Sequence, residues 1–435
     1  MKKVAIHTLG CRANQLESSI ISDNFTKFGW EIVKFNEIAD IYVINTCTVT
    51  AKSDNESRYF ARKAKKTNPN SKVILCGCYT QVSPEEAANL EEVDLIFGNT
   101  EKLEMVELII SEQVFEQENK VFVSDIMQKD KFQDKVVFSA SGRTRANIKI
   151  QDGCNHRCSY CIIPFARGKS RSNSLDNILN QVKQITANGF QELVLSGIHL
   201  GQWGLDLSPK TQLAELLQEL ESLDGLKRYR LSSIDPMEFT DELIKTISNS
   251  QKFCRHLHIS LQSGNNEILK AMRRRYSVAY YSDLIKKLVG NIPELAIGSD
   301  IIVGFPGETE EQFENTYQNL NNLPISYIHV FSYSKRKGTP ASLMENQVDE
   351  AIKKERNKKL TELAKQKSLD YRSSFVGKEL EAMIELSRDK KTGLLKGVTD
   401  NFISILVEGS DDFMNKIAKV KISKLQDDLT FAEFI

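Results

Sequence analysis

The stretch QDGCNHRCSYC, residues 151–161, places Cys154, Cys158 and Cys161 in a C-x3-C-x2-C spacing, with Tyr160 immediately before the last cysteine. It continues the run ANIKIQD (146–152), which reads as a strand, so the thiols stand in the loop after a strand. Three thiolates can hold three irons of a cubane iron–sulfur cluster and leave the fourth iron open to a small molecule. A structural zinc site with His156 as an added ligand is the competing reading. Zinc sites ordinarily bring a second ligand pair further along the chain, and none follows here.

Outward from this loop, strands are expected at 146–152, 193–198, 229–234, 257–262, 297–305 and 327–334, with helical patterns at 174–188, 241–248 and 309–320. Six such repeats are fewer than the eight of a complete TIM barrel, so a partial (β/α)6 barrel is predicted over 136–347. Its active face is the carboxyl end of the strands, where the cysteine loop lies.

Before it, residues 1–135 alternate strand-like runs (4–10, 31–35, 40–46, 72–77, 94–98) with helices near 15–28, 51–66 and from Pro84. Apolar strands alternating with helices predict a doubly wound parallel sheet. Cys11, Cys47 and Cys78 each follow such a strand, at the edge where open α/β sheets bind ligands. Cys76 and Cys254 read as small buried hydrophobes. A charged helix is expected over 348–371 and a small β-barrel over 372–435.

The chain of 435 residues has eight cysteines, 27% charged residues and a formal net charge of zero. Nucleic-acid contacts must therefore come from local basic patches. No apolar run approaches the roughly 20 residues of a membrane span, and MKKVAIHTLGC reads as a first strand, not a signal peptide. Eight cysteines in such a chain point to reduced, metal-binding thiols and a cytoplasmic protein.

The cysteine loop resembles the radical S-adenosylmethionine superfamily. The whole chain resembles the methylthiotransferase family within it, through TLGCRANQLES (8–18), INTCTVT (44–50), CGCYTQ (76–81), QDGCNHRCSYCIIPFARG (151–168), LSGIHLGQWG (195–204), ISLQSGNNEILKAMRRRY (259–276) and DIIVGFPGET (300–309). Asn14-Gln15 after the first cysteine is most similar to the branch acting on threonylcarbamoyladenosine in tRNA, which carries Lys-Val where this chain has Arg12-Ala13. The other branches act on isopentenyladenosine in tRNA or on an aspartate of a ribosomal protein. A metal-stabilised RNA-binding protein is the non-enzymatic alternative.

The resemblance implies two 4Fe–4S clusters, one on Cys154, Cys158 and Cys161 with S-adenosylmethionine on its open iron, the other on Cys11, Cys47 and Cys78 carrying sulfur. It implies that one S-adenosylmethionine methylates that sulfur while a second supplies a radical that takes hydrogen from C2 of adenine. Tyr160, Ser196, Gly197, Ser232, Ser233, Gln262 and Gly304 are then expected around S-adenosylmethionine, and Asp152, Arg167 and Lys169 as charges beside the loop. Arg143, Arg145, Arg274, Tyr276, Lys335 and Arg336 are expected to meet RNA, with a TRAM-like barrel behind. His7, His199 and His329 read as local hydrogen-bonders. Expected partners are a tRNA anticodon stem-loop, a reductant such as a flavodoxin or ferredoxin, and a sulfur donor.

Overall fold

In the computed structural model, which describes residues 1–134 and 144–435, the chain divides into two units. The first gathers residues 1–134 with Gln151–Asn173 and Ser334–Leu343. Its sheet comprises β1 (Lys3–Thr8), β2 (Glu31–Val33), β3 (Ile41–Thr46), β4 (Lys72–Gly77), β5 (Leu95–Phe97) and β6 (Val121–Phe122). Their spatial order is β2-β1-β3-β4-β5-β6, every pair parallel. Helices α1 (Arg12–Lys27), α2 (Ala51–Thr67), α3 (Cys78–Val82), α4 (Pro84–Ala88) and α5 (Met105–Ile110) accompany it.

Alternation along the strands explains why both faces are covered. Val4, Val43 and Ile74 pack with Ile21 and Phe25 of α1, whereas Ala5, Ile44 and Leu75 share a cluster with Ala61 and Ala64 of α2. A strand buried on both sides must be apolar throughout, as DIYVINT and KVILCG are. Strand order reverses between β1 and β3, and the ligand crevice of an open α/β sheet lies at such a point. The expected helix from Pro84 is α4, and a further short helix, α3, precedes it. The residue before a proline avoids helical backbone, so α3 ends ahead of Ser83-Pro84 and α4 restarts there.

The cysteine loop belongs to this unit. The last residues of β7 (Ala146–Asp152) pair antiparallel with β8 (Arg171–Ser172), and α6 (Ile163–Arg167) lies between.

The second unit holds residues 144–150, Ser174–Tyr333 and Met344–Ile435. From β7 the sheet continues through β9 (Glu192–Gly197) and β10 (Arg228–Leu231), then β11 (His256–His258), β12 (Ala296–Val303) and β13 (Tyr327–Ser332). A parallel bridge between Tyr229 and Phe253 joins its two parts. Around it stand α7 (Leu175–Ala187), α8 (Leu213–Ser222), α9 (Asp241–Asn249), α10 (Asn266–Ala271), α11 (Val278–Asn291), α12 (Glu310–Asn322) and α13 (Glu350–Ser373). In α7, Ile178, Val182 and Ile185 are buried at helical spacing, and the Ser174 hydroxyl caps its first turn. This is the partial barrel expected.

Strands β14 (Glu379–Arg388), β15 (Leu395–Thr399), β16 (Ser404–Val407), β17 (Ile417–Gln426) and β18 (Leu429–Phe434) close a small barrel, consistent with a TRAM-like domain. Glu192 fastens it. Arg228 and Arg230 reach this buried carboxylate at 2.7 and 3.2 Å, and their guanidiniums also donate to carbonyls of Glu381, Val398, Thr399 and Asp400. Glu192 and Arg228 begin their strands, so the small barrel lies against the amino ends and leaves the carboxyl ends clear of it. Among the described residues, no helix is long and apolar enough to cross a membrane.

Candidate iron–sulfur and substrate site

Three strand ends build the first set of thiols. Beyond β1 the chain turns at Gly10, where φ is +88°, and a Cβ there would fall 2.8 Å from both Cβ and Sγ of Cys47. Only glycine permits that approach. Cys11 then precedes the first residue of α1, while Cys47 and Cys78 follow β3 and β4 directly. Burial pushes the Cys47 thiol up to about 11, and Cys78 and Cys11 push it the same way because thiolates repel. The three thiols therefore share one sheet edge, where strand order reverses.

The second set lies in one closed loop. Gly153, with φ +77°, has no room for a side chain, since a Cβ would sit 1.9 Å from the Lys169 carbonyl oxygen. Across the base of the loop, the Cys154 N–H donates to Gly168 O and the Ser170 N–H to Asn155 Oδ1, both at 3.0 Å. Gln151 Nε2 donates to Gly153 O at 2.7 Å and to Ser170 Oγ at 2.8 Å. Cys154, Cys158 and Cys161 are each half-buried.

A buried polar network connects the sets. Asn99, just past β5, donates to the Ala166 carbonyl at 2.6 Å and lies 3.5 Å from the Cys78 sulfur. Arg167 donates to Asn14 Oδ1 at 2.7 Å, and at 3.0 Å to both Glu17 oxygens and to Asp152 Oδ1. Lys102 meets Glu17 at 2.6 Å and Asn99 Oδ1 at 2.7 Å. Burial works against a charged Arg167, but Glu17 and Asp152, then Cys78 and Cys11, outweigh it and hold the guanidinium well above its ordinary pKa. Lys169 is exposed, 3.5 Å from Asp130. Nothing in the sequence singles out Glu17 or Lys102, and Asn99's one signal is its place after a strand of the same sheet. Soft thiolates in threes, with buried cations beside them, suit an iron–sulfur cluster better than zinc with its four ligands.

The residues expected around S-adenosylmethionine lie, apart from half-buried Tyr160, in the second unit. Ser196 is buried at the end of β9 and donates to the Ile148 carbonyl at 3.1 Å, with Gly197 closing the strand. The Ser232 hydroxyl is buried with no hydrogen-bond partner among the described residues, which suits a polar ligand. Ser233 meets His258 Nδ1 at 2.7 Å, and Gln262, at φ +70°, donates its N–H to Asp300 O. Gly304 has a packing reason to be glycine, because a Cβ would strike Lys353 Cγ at 2.3 Å.

Most of the side chains expected at RNA are engaged within the protein. Arg274 is half-buried in an ion pair with Asp235 and donates to the Tyr276 hydroxyl, which itself donates to the Ser260 and Leu261 carbonyls. Both brace the barrel wall, Tyr276 buried and Arg274 half-buried. Arg336 is buried on Thr48 and Asp54. It lines, with exposed Lys337, Gln81, Asp125 and Phe165, a cavity of about 700 Å³. Arg145 pairs with Glu385 at 2.8 Å, Lys335 is exposed, and Arg143 lies outside the described residues. Cys76 and Cys254 are buried, as expected of small hydrophobes.

Comparison with known proteins matches residues 148–320 to the Radical SAM superfamily and 3–98 to "Uncharacterized protein family UPF0004". Threonylcarbamoyladenosine tRNA methylthiotransferase MtaB of Bacillus subtilis is 42% identical, covering 98% of this chain and 94% of its own. MtaB of Aquifex aeolicus is 42% identical over 97% of this chain and 100% of its own. The tRNA-2-methylthio-N(6)-dimethylallyladenosine synthase of Carboxydothermus hydrogenoformans is 34% identical over 97% of each. Among solved structures, the radical S-adenosylmethionine methyltransferase TsrM of Kitasatospora setae shares the fold, with TM-score 0.57 and 15% identity over 79% of this chain and 77% of its own. At such identity over nearly the full length of its relatives, the chain belongs to the radical S-adenosylmethionine methylthiotransferase family, in the MtaB branch.

Proposed function

We propose that this chain installs a methylthio group on C2 of N6-threonylcarbamoyladenosine beside the anticodon of tRNA. The reading is carried by 42% identity with the Bacillus subtilis MtaB across 98% of the chain, against 34% for the dimethylallyladenosine synthase. S-adenosylmethionine and an iron–sulfur cluster are the cofactors of this family. Cys154, Cys158 and Cys161 would hold that cluster, and Cys11, Cys47 and Cys78 a second. Bound there, these groups supply the electron, the radical and the methylated sulfur that the reaction consumes.

The chain's own residues hold and screen them. Gly153 and the bonds around it fix one set of thiolates, while Gly10 lets the backbone close on Cys47. Arg167 and Lys102 offset negative charge gathered there. Ser196, Gly197, Ser232, Ser233, Gln262 and Gly304 line the strand ends that receive S-adenosylmethionine. C2 lies on the base-pairing edge of adenine, so the target must be unpaired, as in an anticodon loop. Exposed Lys335 and Lys337 are suited to its phosphates. A small reductant protein such as a flavodoxin or ferredoxin and a sulfur donor complete the reaction, in the cytoplasm.

The test is anaerobic reconstitution and turnover on synthetic anticodon stem-loops bearing threonylcarbamoyladenosine, isopentenyladenosine or adenosine. Nucleoside mass spectrometry should find the methylthio product from the first. Product from the isopentenylated loop alone would sink the substrate assignment.

A further inference from the structure

On β11, β12 and β13, side chains alternate between two faces. Leu257, Ile297, Ile301, Val303 and Ile328 belong to the apolar core shared with the helices. The opposite face carries His256, His258, Asp300, Tyr327, His329 and Phe331. There the His329 side chain is 55% exposed and Phe331 is 46% exposed, unlike core residues. The rings form a ladder from the small barrel upward. Phe402 stacks on His256 at 4.0 Å, Tyr327 lies 5.2 Å from His329, and His329 lies 6.5 Å from Phe331. Gly298 makes room for this ladder, since a Cβ there would lie 2.0 Å from the Tyr327 ring.

Asp300 orients the exposed imidazole. Its Oδ1 lies 3.2 Å from His329 Nδ1 and 3.1 Å from His258 Nε2, and Ser260 donates to Oδ2 at 2.9 Å. Burial alone would raise the Asp300 pKa, but these hydrogen bonds outweigh it and keep the group a carboxylate. With Nδ1 engaged, Nε2 is the ring atom that His329 offers to a ligand. His258, Asp300 and His329 also lie close enough to ligate one cation. However, the hydroxyl and both imidazoles already satisfy the carboxylate, which favours an organic ligand over a metal.

We infer that His329, aimed by Asp300 and flanked by Phe331, is a specificity-determining contact for a polar group on N6 of the substrate adenine. This rests on the function proposed above and explains its choice of substrate. A threonylcarbamoyl group offers urea N–H groups and a hydroxyl that can donate to Nε2. A prenyl group offers none and would desolvate the histidine–carboxylate pair without replacing its water. The small barrel covers the amino ends of the strands, so the ligand enters from the carboxyl ends.

The experiment measures anaerobic binding of reconstituted enzyme to stem-loops with threonylcarbamoyladenosine or plain adenosine, for the parent, H329A, H329F and H329Q, with product formation followed in parallel. The parent should prefer the modified loop by about tenfold or more, the scale of one net hydrogen bond to the added group. H329A and H329F should bring the ratio close to one, and H329Q, which keeps polar atoms, should restore part of it. An unchanged ratio in H329A and H329F overturns the inference. So does equal weakening toward both loops, or one equivalent of bound zinc or manganese that H329A loses. Absence of methylthio product from a parent enzyme that still prefers the modified loop would count against the proposed reaction and not against this contact.

Discussion

The two cysteine sets reach similar ends by opposite routes. Cys154, Cys158 and Cys161 span eight positions of one loop, whose shape comes from Gly153 and hydrogen bonds at its base. Cys11, Cys47 and Cys78 come from three strands, and sheet register alone gathers them. A local set depends on a few backbone conformations, whereas a dispersed set inherits the stability of the whole sheet. Damage to the two should therefore look different.

The largest effect is expected from the thiols themselves. Cys158→Ala should abolish reductive cleavage of S-adenosylmethionine, whereas Cys47→Ala should retain cleavage yet form no methylthio product. Each should lower bound iron from about eight to about four per chain, the count for one cubane cluster per set. Loss of cleavage in both variants would erase the distinction between the sets.

Next comes Glu17→Gln. Glu17 is buried between Arg167 and Lys102, so removing its charge leaves two interior cations poorly compensated. A loss of about 3–5 kcal/mol is expected, read by chemical denaturation of the cluster-free protein. Because Arg167 follows the loop and Glu17 lies on the helix after Cys11, both sets should lose iron together.

Gly153→Ala should do damage confined to one loop. Its positive φ alone costs about 1–3 kcal/mol, and a Cβ 1.9 Å from the Lys169 carbonyl oxygen forces the loop backbone to shift as well. Iron should leave the loop set and stay on the dispersed one. Equal loss from both would show that the loop is not an independent element.

What the sequence reveals follows the same division. Strands 72–77 and 146–152 are found where expected, because an uninterrupted apolar run or a strand leading into a motif is a local signal. β18 is not anticipated, since LTFAEF is short and carries a charge, and its pairing with β16 and β17 is a tertiary fact. The Glu17–Arg167 bond joins residues 150 positions apart, beyond any window of periodicity. Arg274 and Tyr276 illustrate the converse. Their motif is plain in the sequence, but its basic look suggests an open surface, whereas the fold buries Tyr276 and holds half-buried Arg274 on Asp235. His329 reads as a local hydrogen-bonder, and it does bond Asp300; only the structure shows the rest of its side chain uncovered.

The first unit borrows Gln151–Asn173 and Ser334–Leu343 from far along the chain. Arg336 on the later piece neutralises Asp54, and Arg167 on the earlier one neutralises Glu17. During synthesis, the amino-terminal sheet emerges from the ribosome long before either arginine. Until Arg336 follows, Asp54 lacks its counter-charge, whereas Glu17 has Lys102 from the start and gains Arg167 earlier, so the amino-terminal half is completed only in the last third of translation.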